Sequence, residues 1–116
     1  NLLAMKGAAT HAVAAKRMAL GRYQFDAGSL QLALDSEVRQ LSHREAELVG
    51  YFAQHMNDVI VKKDLLLAVW GDDSYYNARN LDVYMRKLRT YFEGDASISI
   101  LTLRGVGYRF VVAEKA

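Results

Sequence analysis

Cysteine and proline are both absent from this 116-residue chain. Without Cys there are no disulfides, thiolate nucleophiles, Cys-ligated zinc sites or iron–sulfur clusters. No stretch approaches the ~18–20 consecutive apolar residues of a membrane span. The opening residues lack the charged, then apolar, then small-residue pattern of an export signal, so a cytoplasmic protein is expected. His11, His43 and His55 share no metal-like spacing. His43 and Glu47 stand at i,i+4, but two ligands do not make a site, and neither a metal nor a cofactor is expected. No phosphate loop, catalytic elbow or Ser/His/Asp order is present, so an enzyme reading has no residues to stand on. Position 1 is Asn rather than Met, which suggests a piece of a longer chain. What the chain does contain is apolar bulk: 52% hydrophobic residues, with one Trp, seven Tyr and four Phe. That fills a core, rules out wholesale disorder, and at this length predicts one domain.

Net charge is +2, but its distribution is uneven. Residues 1–20 carry +3, residues 21–76 carry −4, and residues 77–116 carry +3. A basic C-terminal third on an acidic body suggests one face meant for a polyanion, although such an excess over forty residues is also ordinary.

Residues 1–20 are Ala-rich without a clean period and are expected to be a linker, a vector remnant or a short helix. The domain is expected to run from residue 21 to 113, with a tail at 114–116. Tyr23 and Phe25 alternate with polar residues, as do Leu30, Leu32 and Leu34, and Val38 to Leu41 can form a third strand. With Asp26-Ala27-Gly28 and Asp35-Ser36 as turns, this predicts an antiparallel meander. Ser42-His43-Arg44-Glu45 is a capping box that opens a helix, with Leu48, Val49, Phe52 and Met56 as its apolar stripe. Val59-Ile60-Val61 favours a strand. A second helix follows over 62–70, with Leu65, Leu66, Val69 and Trp70 inward and Gly71 as its stop. Residues 71–77 are expected to be a loop, and 78–92 a third helix. Ile98 to Leu103 and Tyr108 to Val112 then form a hairpin around Gly105-Val106-Gly107. The class is α+β: meander, three helices, hairpin.

In the third helix Leu81, Met85, Leu88 and Phe92 stand at i, i+4, i+7 and i+11 and should face the core. The opposite side holds Asn80, Val83, Tyr84, Lys87 and Tyr91, flanked by Arg79, Arg86 and Thr90. A helix fits the major groove of B-DNA, where Asn can pair with adenine and Lys or Arg with guanine. Arg79, near the helix start, suits a phosphate. The alternative is a solvated face, with Asp82 and Arg86 as an i,i+4 pair. Arg104 opens the hairpin turn, and Arg109 follows Tyr108. A hairpin tip carrying Arg can enter the minor groove, whose negative potential attracts guanidinium. The two glycines read as turn geometry, because a dinucleotide fingerprint needs a following helix and a third Gly. Lys62-Lys63 reads as a solvated pair, or as a helix start whose amides meet a phosphate.

At these residues the sequence resembles the winged-helix effector domain of OmpR/PhoB-type bacterial response regulators, from about Gly21 to Val112. Thr102-Leu103-Arg104-Gly105-Val106-Gly107-Tyr108-Arg109-Phe110 resembles the family's "TvRGvGYrf" wing. Arg79 to Arg89 resembles "RtvDvhIsrLR". Leu65 to Gly71 resembles "LlexvWg", and Leu41 to Leu48 resembles "LtxrEaeLL". The resemblance implies a winged helix-turn-helix with an N-terminal antiparallel sheet, three helices and a hairpin wing. It implies sequence-specific binding of double-stranded DNA to control transcription. It further implies a receiver domain, absent here, phosphorylated by a sensor histidine kinase, so Asp72 and Asp73 are not phosphoacceptors. The family's phosphate-contacting Arg falls on Arg79 and its groove-facing positions on Asn80, Val83, Tyr84 and Lys87. Arg86 and Arg89 carry over more loosely, and the wing Arg falls on Arg104. Asp72, Asp73, Ser74, Tyr75 and Tyr76 fall in the loop with which family members touch RNA polymerase. The chain departs from the pattern at Val61, where a capping Ser or Thr is usual, and at Asn80, Tyr84 and Tyr91. Val61 leaves the start of the second helix to fray or to use another partner, and the other three leave the base sequence open, not the binding. Tyr75 and Tyr76 are bulky enough to pack inward from the loop. Binding as two protomers on half-sites ~34–36 Å apart is expected. The rival is a winged helix used for protein contact, which would spare Asn80, Tyr84 and Lys87 and depend on Tyr75 and Tyr76.

Overall fold

In a computed structural model, residues 17–113 are described. The expectations for residues 1–16 and 114–116 lie outside them. Strands β1 (Arg17–Leu20), β2 (Tyr23–Asp26), β3 (Gln31–Leu34) and β4 (Glu37–Gln40) form an antiparallel sheet in sequential order. Period-2 alternation turns Tyr23, Phe25 and Leu32 to the interior,. The expected boundary at residue 21 needs correcting, because β1 lies before it. Leu20 pairs with Tyr23, Met18 pairs with Phe25, and Leu20 is fully buried. The short run Arg-Met-Ala-Leu has no polar–apolar alternation to reveal it, and its pairing comes from β2.

Helix α1 (His43–Gln54) starts at the expected capping box. The Ser42 hydroxyl accepts from the Glu45 amide at 3.2 Å, and the Ser42 amide donates to the Glu45 carboxylate at 2.8 Å. Leu48, Val49 and Phe52 are fully buried. Glu45 has a second role, since its carboxylate also accepts from the Tyr91 hydroxyl at 2.7 Å. Burial opposes its ionisation, but the hydrogen bonds from Ser42 and Tyr91 outweigh burial and hold its pKa below the ordinary value,. A depressed folded pKa contributes stability above the unfolded value and loses it as pH falls through the folded one. Glu45→Gln should therefore cost about 1 kcal/mol at neutral pH. In urea melts as a function of pH, the gap to wild type should close on acidification. A gap unchanged down to strongly acidic pH would show that charge is irrelevant at this cap.

Strand β5 (Val59–Val61) leads directly into α2 (Lys62–Trp70). Val61 provides no side-chain cap, as its apolar side chain requires,. The Lys62 amide is instead taken by the Val106 carbonyl at 3.0 Å. Gly71 closes α2 at φ 74°, a left-handed turn that glycine adopts without strain,. Helix α3 (Tyr75–Tyr91) begins three residues before the expected start, because Ser74 caps it by accepting from the Asn77 amide at 3.3 Å,. The loop is correspondingly shorter, and Tyr75 and Tyr76 belong to the first helical turn. Strands β6 (Ile98–Leu103) and β7 (Gly107–Val112) form the hairpin, and β5 adds to β7, giving the order β5-β7-β6. Phe110 stacks on Phe52 at 5.5 Å and meets Phe92 edge-on at 5.2 Å. Tyr23 meets the other side of Phe92 at 5.1 Å. This aromatic train joins both sheets to α1 and the end of α3 in one core. The fold is the expected α+β winged helix.

Candidate nucleic-acid interface

The stripe expected to anchor α3 is the one that does: Leu81, Met85, Leu88 and, just past the helix, Phe92 are buried. At ~100° per residue, Tyr76, Arg79, Val83, Arg86, Lys87 and Thr90 then face outward. All six are exposed, Val83 at 51% despite its apolar side chain. Arg86 pairs with no carboxylate among the described residues. The Asp82–Arg86 pair is absent, because the Asp82 carboxylate is directed to Lys62 and Tyr108 instead.

The remaining helix residues divide between two flanks. On the side facing α2, Asn80 is half-buried. Tyr84 leans on Trp70 with ring centroids 5.9 Å apart, and the Lys87 ammonium lies 5.5 Å from the Tyr84 ring. Tyr91 does not join the outward face. Its hydroxyl is committed to Glu45, and the Arg39 guanidinium lies 4.1 Å over its ring. On the side facing the wing, Arg89 donates to the Ile100 carbonyl at 3.2 Å and to the Thr102 hydroxyl at 2.6 Å. Its guanidinium thus ties α3 to β6. Asp82 accepts from the Tyr108 hydroxyl at 3.3 Å and lies 3.7 Å from the Lys62 ammonium. Burial, and then the Asp82 charge, push the Tyr108 phenol up to about 12.

Arg104 stands exposed where β6 enters the wing turn. Gly105 supplies the φ of 77° that the turn requires, as expected of a turn glycine,. Gly107 is more than turn geometry. It lies where β7 passes β5, and a Cβ there would overlap the Ile60 carbonyl oxygen and come within 2.6 Å of the Lys62 nitrogen. Arg109 lies in the sheet between Val59 and Leu101, away from the tip. Its Nε is buried without a hydrogen-bond partner among the described residues.

A hollow lined by Tyr75, Tyr76, Arg79, Asn80, Val83 and Arg86 runs along α3, and a cleft lined by Lys62, Thr102, Arg104 and Tyr108 runs along the wing. Asp82 lines both. The helix face and the wing turn therefore adjoin, with Arg79, Arg86, Lys87 and Arg104 presenting unpaired cations among the described residues. Sequence reasoning missed Lys62 as a side chain of this cleft and left its amide open as a phosphate donor. That amide is occupied by Val106. Only the spacing of the wing motif from the second helix could have hinted at the contact.

Tyr75 and Tyr76, bulky enough to pack inward, do not: they are 77% and 74% exposed. Arg79 lies 5.8 Å from the Tyr75 ring. Asp72 and Asp73 are exposed, and Asp72 accepts from the Ser74 amide at 3.0 Å. Among the described residues no helix is long and apolar enough to cross a membrane.

A family model described as "Transcriptional regulatory protein, C terminal" matches residues 36–110. The transcriptional regulatory protein RprY of Bacteroides fragilis (strain YCH46) is 36% identical over 95 residues, covering 82% of this chain and 40% of that protein. The chain thus spans well under half the length of this relative. The DNA-binding domain of Klebsiella pneumoniae RstA, solved in complex with the RstA box, superposes with a TM-score of 0.71 at 25% identity, covering 84% of this chain and 99% of that one. The DNA-binding domain of CpxR from E. coli gives 0.69 at 24% identity, covering 84% and 98%, a likeness of fold. The response regulator DrrB of Thermotoga maritima, an OmpR/PhoB homologue, gives 0.69 at 26%, covering 83% of this chain and 44% of that one.

Proposed function

The chain belongs to the family of transcriptional regulatory protein C-terminal domains, the OmpR/PhoB-type winged helices, and from that premise we propose that it binds double-stranded DNA as the output domain of a response regulator and so controls transcription. The observation that carries the reading is the adjoining of a cationic helix face and a guanidinium-tipped hairpin across the shared residue Asp82. A helix of this kind enters the major groove, and Arg104 reaches toward an adjacent minor groove or the backbone beside it. Arg79 holds a phosphate and fixes register. Asn80, Val83 and Lys87 meet base edges, while Tyr84 contributes through the position it gives Lys87. Arg86 adds a backbone contact, and Arg89 acts by tying the wing to the helix.

Several partners follow from the same reading. Two protomers occupy half-sites about one turn apart, ~34–36 Å. A receiver domain preceding this chain receives a phosphoryl group from a sensor histidine kinase in the cytoplasm. Asp72, Asp73, Ser74, Tyr75 and Tyr76 form a contact for RNA polymerase. The exposure of Tyr75 and Tyr76 supports a protein partner there, since large aromatics left in water are enriched at interfaces,. No catalytic role is proposed.

The test is a duplex titration at several salt concentrations. With about four phosphates neutralised per protomer, log K should fall against log salt with a slope of about −3.6. Absence of binding to any duplex recovered from a random pool, or binding indifferent to salt, would sink the reading.

A further inference from the structure

Asp82 is the only acidic residue of α3 and stands among Arg79, Arg86, Lys87 and Arg89. It lines both the hollow along the helix and the cleft under the wing. A carboxylate where a polyanion enters weakens binding unless its charge is occupied. Here it is occupied by the Lys62 ammonium at 3.7 Å, with the Tyr108 hydroxyl at 3.3 Å as a neutral donor. Stability does not explain the arrangement. The side chains of Lys62 and Asp82 are 38% and 57% exposed, and an exposed ion pair of this length contributes little to folding,.

We propose that Asp82 is a specificity-determining residue that acts through Lys62, holding its ammonium out of the set of cations that grip DNA at any register. The proposal rests on the DNA-binding reading above. Non-specific binding is almost wholly a count of phosphates neutralised, so every free cation near the duplex strengthens it regardless of sequence. Lys62 is well placed to be such a cation. Its main chain is fixed to the wing through the Val106 carbonyl, which leaves its side chain beside Arg104 and Thr102 at the mouth of the cleft. With Asp82 present, reaching a phosphate means giving up the carboxylate, and the exchange brings little. A cognate duplex is held by base contacts from the outward face of α3 and does not need Lys62. The carboxylate therefore subtracts from promiscuous binding more than from specific binding.

The test is a mutant cycle on the full chain, using a mixed-sequence duplex and the duplex selected from a random pool. Asp82→Asn should raise affinity for the mixed-sequence duplex several-fold and steepen its salt slope by about 0.9, one further phosphate. Affinity for the selected duplex should rise less, so discrimination falls. Lys62→Ala alone removes no phosphate contact and should leave both salt slopes unchanged, the freed Asp82 charge lowering affinity for the two duplexes alike, and Lys62→Ala in the Asp82→Asn background should restore the original slope,. Tyr108→Phe, which keeps the Asp82 charge, should leave the slope where it was. The inference is overturned if the effects of the two substitutions on the salt slope are additive, if Asp82→Asn leaves the slope unchanged, or if it weakens both duplexes. Failure of the wild-type chain to bind either duplex would instead overturn the DNA-binding reading.

Discussion

Gly107→Ala should destabilise the domain by about 3 kcal/mol or more, whereas Gly105→Ala, two residues away in the same turn, should cost only about 1. The contrast isolates the cause. At Gly105 nothing lies within 4 Å of an added Cβ, so the cost is confined to holding alanine at φ 77°. At Gly107 the obstacle is backbone, the Ile60 carbonyl and the Lys62 amide, and neither can rotate away. Relief requires β7 to move off β5, which breaks the pairing of Val59 with Arg109, Ile60 with Tyr108 and Val61 with Gly107. The Lys62 amide would lose its Val106 acceptor in the same movement and leave the start of α2 uncapped. Urea melts of the two variants measure the difference. Equal costs would mean that strand β5 yields easily and that the wing is not anchored there.

The close approach of Gly107 to the Ile60 carbonyl is not legible in the sequence, although the glycine is. The motif around Arg104 gave the turn, but the reason for its second glycine lies in a strand far earlier in the chain. The same division runs through the fold. The Ser42–Glu45 box could be read because both partners lie within one helical turn, and the core stripe of α3 because its period is local. The bond from Tyr91 to Glu45 joins residues 46 positions apart and has no local signature, so helical periodicity alone groups Tyr91 with the outward face. Strand β1 carries no alternation and depends on β2 for its place. The start of α3 was missed for a local reason: Tyr75-Tyr76 reads as loop chemistry unless Ser74 is recognised as the cap. At the candidate interface, residue types and facing were legible for Arg79, Val83, Arg86, Lys87 and Arg104. The tethering of Arg89 to Thr102 and of Asp82 to Lys62 required the wing to be folded back beside the helix.

On the outward face, Arg79 and Lys87 should separate into two kinds of defect. Arg79 lies in the first turns of α3 beside Tyr75, where the amide ends of the helix favour an anion,. Arg79→Ala should weaken all duplexes about equally and make the salt slope shallower by about 0.9, the loss of one phosphate. Lys87 lies two turns further along, exposed, with its ammonium near the Tyr84 ring, which is itself braced by Trp70. Bracing of this kind restricts where the ammonium can reach, and restricted reach is what distinguishes a base reader from a phosphate clamp. Lys87→Ala should therefore cost roughly 1–3 kcal/mol on the selected duplex, about 5- to 150-fold, while changing mixed-sequence binding little. Selection from a random pool should show relaxed preference at one base pair for Lys87→Ala and an unaltered consensus for Arg79→Ala. If both variants return the same consensus and the same slope, neither residue reads a base, and the discriminating contacts must be sought at Asn80, Val83 and the wing. If Tyr84→Ala reproduces the relaxed preference of Lys87→Ala without a change in slope, the braced ring belongs to the reading apparatus through the lysine it positions.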